Sequence, residues 1–369
     1  MKRIFSSAAG IALLAGGPAF ALGLDRSGQD IGVLFEAGNY AELSFGMIQP
    51  SLTGTDLLGN PTGNVGLDYN QVSLGLKMDV NDQLSFALIL DQPFGADVRY
   101  EGSPAATLLG GTAAELNSNT MTAIARYRFN ENFSVYAGVR QQRLDADVTL
   151  SGLAYGPLNG YNVDLTNGEG TGWLAGVAYE RPDIALRVAL TYNSAIDNEF
   201  DTAEYMGATQ VAAGTTTVTA PEAWNLDFQT GIAANTLLMA SIRHASYSQT
   251  ILSPDFFNGA TGGGSITNIE DGTTYSIGIG RRFNDAFAGS VTIGYEPESG
   301  DDLKSPLSPS NGSYSLAIGG SYTVDNVVIS GGVRYVVLGD AFAETADAAR
   351  AEFTDNSAMA IGFSIGYHF

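Results

Sequence analysis

The chain has 369 residues, with 39 Asp plus Glu against 17 Lys plus Arg, and therefore a formal net charge of -22. Only 15% of the residues are charged while 44% are hydrophobic, a composition that excludes an acidic disordered chain. The three lysines, Lys2, Lys77 and Lys304, form no basic cluster for nucleic acid, and the absence of cysteine excludes disulfides and thiolate metal sites.

The first 21 residues are typical of a secretory signal peptide. Lys2 and Arg3 supply the positive start, residues 11–15 supply the apolar stretch, and Ala19-Phe20-Ala21 forms a small-x-small cleavage site. Residues 22–39 follow, and we expect them to form an N-terminal hatch or plug segment at the mouth of the remaining domain, 40–369, or inside it. Beyond residue 21, no window approaches the roughly 18 to 20 consecutive apolar residues of a spanning helix.

After residue 39, apolar residues alternate with small or polar ones at a period of two, which is typical of strands with two different faces. In the last segment, Ile361, Phe363 and Ile365 alternate with glycine and serine. Most segments reach the roughly 9 to 11 residues that a tilted spanning strand needs. The fourteen predicted strands are 40–52, 67–80, 84–100, 118–130, 133–151, 170–181, 184–196, 219–233, 236–249, 273–284, 287–297, 312–323, 327–340 and 356–369.

Short turns and long connections alternate between these strands without exception. The long connections follow the odd-numbered strands and cover roughly 53–66, 101–117, 152–169, 197–218, 250–272, 298–311 and 341–355. Trp173 and Trp224 begin predicted strands next to long connections, whereas Phe129, Phe133 and Phe369 lie beside short turns, as two interfacial girdles require. The pattern predicts an all-β fold, a fourteen-stranded antiparallel transmembrane β-barrel in the bacterial outer membrane with both termini periplasmic.

The strand charges share the small-polar face. Lys77, Arg126, Arg140, Arg187 and Arg334 alternate with apolar neighbours. Because a lysine or arginine facing lipid costs about 2 to 4 kcal/mol, we expect these side chains in a lumen of mixed charge that leans basic. Acids crowd the long connections, either for solubility or to bind divalent cations that bridge to lipopolysaccharide. Both interpretations stay open.

Several stretches resemble the FadL family of outer-membrane transporters for long-chain fatty acids and other hydrophobic compounds. They are Gln92-Pro93-Phe94-Gly95, the run Gly170 to Tyr179 with Arg181-Pro182 after it, and Ala220 to Leu226. The resemblance implies fourteen strands, an N-terminal hatch and a kinked third strand that opens a lateral exit. Pro93 supplies no ladder hydrogen bond and Gly95 no side chain, which fits such a kink. The hatch departs from the family, since 22–39 is short and lacks Asn-Pro-Ala.

The resemblance implies passive uptake, in which an amphiphile lands on apolar residues of the external loops, enters the lumen and leaves sideways at Pro93, Phe94 and Gly95. The cationic partners predicted for a carboxylate are Arg140, Arg187 and Arg334; salt bridges that stiffen the lumen are the other interpretation. The candidate landing residues, which equally well pack the loops against each other, are Leu153, Tyr155, Leu158, Tyr161, Phe200, Tyr205 and Met206.

A porin and an enzyme are the two alternatives to uptake. A general porin for polar solutes predicts an open aqueous lumen. An enzyme needs an activated nucleophile with its base, and His244 and His368 are the only histidines, with Ser241 near the first. We therefore expect no enzymatic activity, no cofactor and no metal. The strand ending at Phe369 has the form of a signal for the barrel-assembly machinery, although it also simply closes the barrel.

Overall fold

The structure is a computed structural model and describes residues 24–369. The predicted signal peptide, 1–21, lies outside the described residues. No helix within the described range is both long and apolar enough to cross a membrane.

The described chain is almost entirely β-structure. One short helix, α1 (Asp255–Thr261), and four 3-10 turns (Gly32–Phe35, Leu153–Leu158, Pro182–Ile184 and Tyr247–Gln249) interrupt it. In chain order the strands are β1 (Tyr40–Ser51), β2 (Thr53–Asp56), β3 (Pro61–Asn64), β4 (Tyr69–Asp79), β5 (Leu84–Asp91), β6 (Gly95–Arg99), β7 (Ala113–Arg128), β8 (Phe133–Leu150), β9 (Tyr161–Arg181), β10 (Leu186–Asn193), β11 (Ile196–Met206), β12 (Thr209–Ala220), β13 (Ala223–Ala233), β14 (Thr236–Ala245), β15 (Gly272–Arg282), β16 (Phe287–Glu296), β17 (Leu303–Lys304), β18 (Ser313–Val324), β19 (Val327–Leu338), β20 (Ala341–Thr345), β21 (Ala348–Phe353) and β22 (Ser357–His368).

Fourteen antiparallel strands close into a barrel, which confirms the predicted fold class. The third of them is formed by β5 and β6 together, because both pair with β7. The first and last strands close the wall, with β1 and β22 in register from Tyr40↔His368 to Ser51↔Ser357. This closure removes the free edges that the first and last strands would otherwise present to the lipid, where an unpaired backbone group is costly.

The predicted alternation sets the two faces of the wall. On β22 the outward side chains Met359, Ile361, Phe363, Ile365 and Tyr367 are 42–49% exposed. The residues between them face inward and are small, so they leave room in the lumen. Most of the energy that fixes the register therefore comes from the lipid-facing stripe, since a slip of one residue would turn it inward.

The long connections contain more strand than expected. Strand β9 begins at Tyr161, and the predicted loop 197–218 is instead the hairpin β11–β12, whose first strand pairs with β9 as Met206↔Tyr161. The prediction failed because the outward residues of β11 beyond the membrane are acidic, so the apolar half of the alternation is missing. A separate five-stranded sheet in the order β17-β20-β21-β2-β3 joins three other long connections.

Aromatic side chains mark the barrel wall near the end with the long connections, here called the loop end; the opposite end is the turn end. The outward rings of Trp173 and Trp224 flank Tyr192, at centroid distances of 5.2 and 4.8 Å. Trp173 lies in the middle of β9 and not at its start, because β9 continues beyond the membrane. The row therefore marks an interface and not a strand end.

Candidate transport path

The third barrel strand is broken where β5 ends at Asp91 and β6 begins at Gly95. Three residues, 92–94, stand opposite two residues of β7, because Asp91 pairs with Thr120 and Gly95 with Asn117. The extra residue makes a β-bulge, and Pro93 at its centre has no N–H to donate. The Phe94 N–H donates to Ser118 Oγ at 2.9 Å in place of a ladder bond.

On the other side of the break, the wall is open between β4 and β6. Pairing of β4 with β5 stops at Leu74↔Leu90, and the described residues show no strand pairing of Tyr69–Ser73 on this side. The Val72 N–H donates instead to the side-chain carbonyl of Gln92 at 3.1 Å. Backbone contact resumes toward the loop end, where the Leu67 N–H donates to the Asp97 carbonyl at 3.0 Å. We call this gap the side window.

The N-terminal segment, 24–39, pairs with the break from inside the barrel. The Arg26 N–H donates to the Pro93 carbonyl at 2.8 Å, and the Gly95 N–H donates to the Leu24 carbonyl at 2.9 Å. Arg243 donates through Nε to the Asp25 carboxylate at 2.6 Å. These bonds satisfy backbone groups that the bulge would otherwise leave unpaired.

Further along, the same segment fills the turn half of the lumen. Ile31 and Leu34 are buried in an apolar cluster whose other members lie on the inner wall. The Phe35 ring lies between two guanidinium groups, with the Cζ atoms of Arg126 and Arg187 each 4.6 Å from its centroid. Such paired cation–π contacts stabilise a ring held away from water. The chain's own side chains thus occupy this half.

The loop half holds an apolar cavity of about 90 Å³. It is bounded by Leu24 and Phe94, on either side of the contact between the N-terminal segment and the break. Its apolar lining includes Ala96, Leu116, Leu144, Leu165, Phe200, Val218, Leu252, Ile269 and Leu307. A pocket of this kind binds apolar molecules and offers few partners for a charge.

A second cavity, of about 240 Å³, lies against the wall beside the side window. It is lined by lumenal groups such as Asp25, Arg26 and Arg334, and also by Val72 and Phe45, whose side chains face outward. The cavity therefore reaches both surfaces of the wall near the break.

The three predicted arginines are not brought together. Arg140 is 2% exposed, donates through Nε to Thr122 Oγ1 at 3.3 Å, and has no carboxylate within 4.0 Å in the described chain. It lies on the inner face of β8, two inward positions from Leu144 in the apolar cavity. Arg187 stacks on Phe35 instead, and Arg334 lines the wall cavity.

The sequence pattern did not locate two arginines of the lumen. Arg243, whose face the alternation did not settle, points inward and bonds to Asp25. Arg26 precedes the first strand, where no periodicity indicates a position. The acids of the N-terminal segment and wall, such as Asp25 and Asp91, also offset the arginines, so the predicted basic excess in the lumen is largely neutralised.

Comparison with known proteins decides the family. The family of outer membrane transport proteins described as OMPP1/FadL/TodX matches residues 34–369. The chain belongs to this family. It is accordingly an outer-membrane β-barrel of the FadL family, whose members transport hydrophobic compounds. The members of this family are transporters, which fits the expectation of no enzymatic activity.

Solved structures show the same FadL fold. A FadL homologue from Pseudomonas aeruginosa is 16% identical with a TM-score of 0.75, and the match covers 99% of this chain and 98% of that one. The toluene transporters TbuX of Ralstonia pickettii and TodX of Pseudomonas putida are 15% and 14% identical, with TM-scores of 0.64 and 0.63 and 91% coverage of both chains in each case. No curated protein matches the chain.

In this FadL-family barrel, the predicted landing residues form no single exposed surface. Tyr161 and Phe200 are 0% and 3% exposed and belong to a buried cluster with Leu165. Leu153 is exposed, whereas the remaining four, Tyr155, Leu158, Tyr205 and Met206, are partly buried. The loops therefore pack against each other through most of these side chains.

The residues considered for catalysis and metal binding are separated. Ser241 and Arg243 share the inward face of β14, while His244 faces outward and contacts Thr273 Oγ1 through Nδ1 at 2.9 Å. A serine and histidine on opposite faces of one strand cannot exchange a proton directly. Within residues 24–369, no group of three or more His, Asp or Glu side chains is arranged to hold a metal ion.

Proposed function

We propose that this FadL-family barrel takes up hydrophobic small molecules passively, through the apolar cavity and then sideways through the side window. The observation that carries the proposal is the position of the cavity. It touches both the N-terminal segment and the broken strand, through Leu24 and Phe94. A solute bound there therefore lies next to the Asp25↔Phe94 contact, which is beside the window.

The cavity favours apolar solutes by size and lining. Its volume of about 90 Å³ is of the same order as the roughly 150 Å³ of an apolar cavity that admits benzene. The structures with the same fold include toluene transporters. A long-chain fatty acid gains about 0.8 kcal/mol per buried CH2 but exceeds this volume, so its binding requires Leu24 and its neighbours to move.

Lateral exit is favoured because the turn half is filled. Ile31 and Leu34 pack on the inner wall, and Phe35 is held by two arginines. In this proposal the segment acts as a hatch despite its short length. A porin for polar solutes, the alternative function, needs a continuous aqueous lumen that these contacts interrupt.

For substrates with a carboxylate, we assign Arg140 as the partner of the head group. It is buried on the inner face of β8, four residues from Leu144 of the apolar cavity, and makes no ion pair within the described residues. Arg187 is engaged by Phe35, and Arg334 would meet a carboxylate later, in the wall cavity. Capture is assigned to the loop end, where Leu153 is 46% exposed.

The remaining partners are proposed on weaker grounds. Acids on the outward face of the loop end, such as Glu199 and Asp201, are placed to approach lipopolysaccharide through divalent cations. The exposed Phe369 ends the closing strand, as a signal for the assembly machinery would. Deleting Phe369 without loss of membrane insertion would remove that role.

The test is a polar substitution in the cavity. Leu116→Asn places an amide where the lining offers it no partner, which costs about 1 to 3 kcal/mol. We expect the affinity of the purified protein for toluene, and uptake by cells, to fall about tenfold. The matched control is Leu57→Asn, because Leu57 is exposed on the β2–β3 hairpin. Unchanged binding and uptake in Leu116→Asn would contradict the proposal.

A further inference from the structure

The side chain of Arg26 occupies the side window. Its guanidinium lies 3.9 Å from the centroid of the Tyr69 ring on β4, and it forms an ion pair with Asp97 on β6. No ladder of backbone hydrogen bonds joins these two strands along Tyr69–Ser73. Arg26 is 8% exposed, so the surrounding wall encloses it closely.

The register shows that the Arg26 side chain reaches from the lumen into the gap of the wall. Its backbone pairs with Pro93 on the lumenal side. Asp97 is the cross-strand partner of Glu115, which is exposed and lies on the outward face by the alternation of β7. The other partner of Arg26, Tyr69, shares the lumenal face of β4 with Ser73 and Lys77. The guanidinium therefore lies in the gap, between the inner and outer faces of the wall.

Gly95 provides the space for the Arg26 guanidinium in the gap. Because successive residues of a strand alternate in direction, Gly95 and Asp97 share the outward face. A Cβ built on Gly95 would overlap Cζ and Nε of Arg26. Any larger residue at this position therefore displaces the guanidinium while leaving its charge in the molecule.

We propose that Arg26 is a bolt that holds the side window shut, by linking Tyr69 of β4 to Asp97 of β6 at the loop-end margin of the unpaired stretch, next to the Leu67–Asp97 backbone bond. This inference rests on the proposed lateral route, because it names the residue that controls it. A charge-assisted bond and a cation–π contact replace about five residues of missing ladder, and both are released when one side chain withdraws. A hydrophobic solute then passes through the space that the side chain leaves.

The test uses the cysteine-free chain. Ser73 lies on the stretch of β4 that has no strand partner on the window side, and it lines the wall cavity, so Ser73→Cys reports access through the window. In vesicles, we compare its labelling by a lipid-soluble maleimide and by a charged maleimide. Removing the bolt by Arg26→Ala, or displacing it by Gly95→Ala, should speed the lipid-soluble reaction about tenfold, the factor expected for one charge-assisted hydrogen bond.

The control is Arg143→Ala, which removes an arginine from an exposed ion pair with Glu169 elsewhere on the outer surface. The Ser73→Cys protein that also carries Arg143→Ala should react with both maleimides at the same rates as Ser73→Cys alone. Labelling within twofold of the parent in both bolt variants would overturn the proposal, and so would equal acceleration by both reagents, which signals general loosening. Labelling does not require transport. If uptake fails while labelling still depends on Arg26, the result would contradict the proposed transport route but not the role of Arg26.

Discussion

The two halves of the lumen are built in opposite ways. The loop half keeps an apolar cavity of about 90 Å³ open between Phe94, Leu116 and Phe200. The turn half is packed by the N-terminal segment, with Leu34 fully buried and Phe35 between two arginines. The loop half therefore has space for a small apolar solute, whereas side chains of the N-terminal segment fill the turn half.

In the proposed route, this difference keeps the barrel from acting as an open pore. Charged side chains of the turn half also bond to the N-terminal segment. Lys77 Nζ, for example, donates to the Gly38 carbonyl at 2.7 Å. The opening that remains is in the wall, at the level where the two halves meet.

The largest expected effect comes from breaking the packed half. Leu34→Asp buries a carboxylate in the apolar cluster of Ile31 and the inner wall. An unpaired buried charge costs several kcal/mol or more, so the N-terminal segment should leave its position and open the turn half. We expect the variant to conduct ions in planar bilayers where the parent conducts little.

The matched control for this variant is Ala37→Asp, which adds the same charge to the same segment at an exposed position. Its conductance should equal that of the parent. If Leu34→Asp also conducts no more than the parent, the packed half is not the barrier and the contrast between the halves fails.

The wall of the barrel could be predicted because lipid imposes a simple rule. Outward side chains such as Ile361 and Phe363 must be apolar, so period-two alternation locates each strand. The rule ends at the membrane boundary. There β11 carries acids outward, and its Phe200 packs in a cluster formed by β7, β8, β9 and the connection after β14, so sequence alone predicted a loop.

The site was harder to predict because its parts come from distant segments. The interruption near Pro93 follows from the missing N–H of proline. The bolt, however, depends on Arg26, Tyr69 and Asp97 meeting in three dimensions, and no spacing in the sequence indicates that meeting. Sequence identified Arg140 as inward but could not show that it has no carboxylate partner within 4.0 Å among the described residues.

A smaller effect separates the two kinds of solute in the loop half. Arg140→Gln keeps a similar shape but removes the charge that a carboxylate would meet. A hydrogen bond to a charged group contributes about 1.5 to 3 kcal/mol, so fatty-acid affinity should fall about ten- to a hundredfold while toluene affinity stays constant. Arg143→Gln on the outward face of the same strand is the control. Equal loss for both solutes would show that Arg140 supports the cavity and binds no head group.

The smallest effect concerns the sheet that covers the loop half. Asp56 ends β2 and accepts hydrogen bonds from the N–H groups of Leu108 at 3.0 Å, Asn60 at 2.8 Å and Leu58 at 3.0 Å. Burial raises the pKa of the Asp56 carboxyl, but these bonds outweigh it and hold the pKa below its ordinary value of 3.8. The charged form therefore stabilises the fold at pH values above 3.8, and this contribution is lost as the pH falls through the lowered pKa. We expect protease cleavage in the β2–β3 hairpin to increase over that acidic range in the parent, and to be high and nearly independent of pH in Asp56→Asn. Because the cavity is built from other segments, toluene binding should be the same in both proteins, and a parallel loss of binding would mean that the cover and the cavity form one unit.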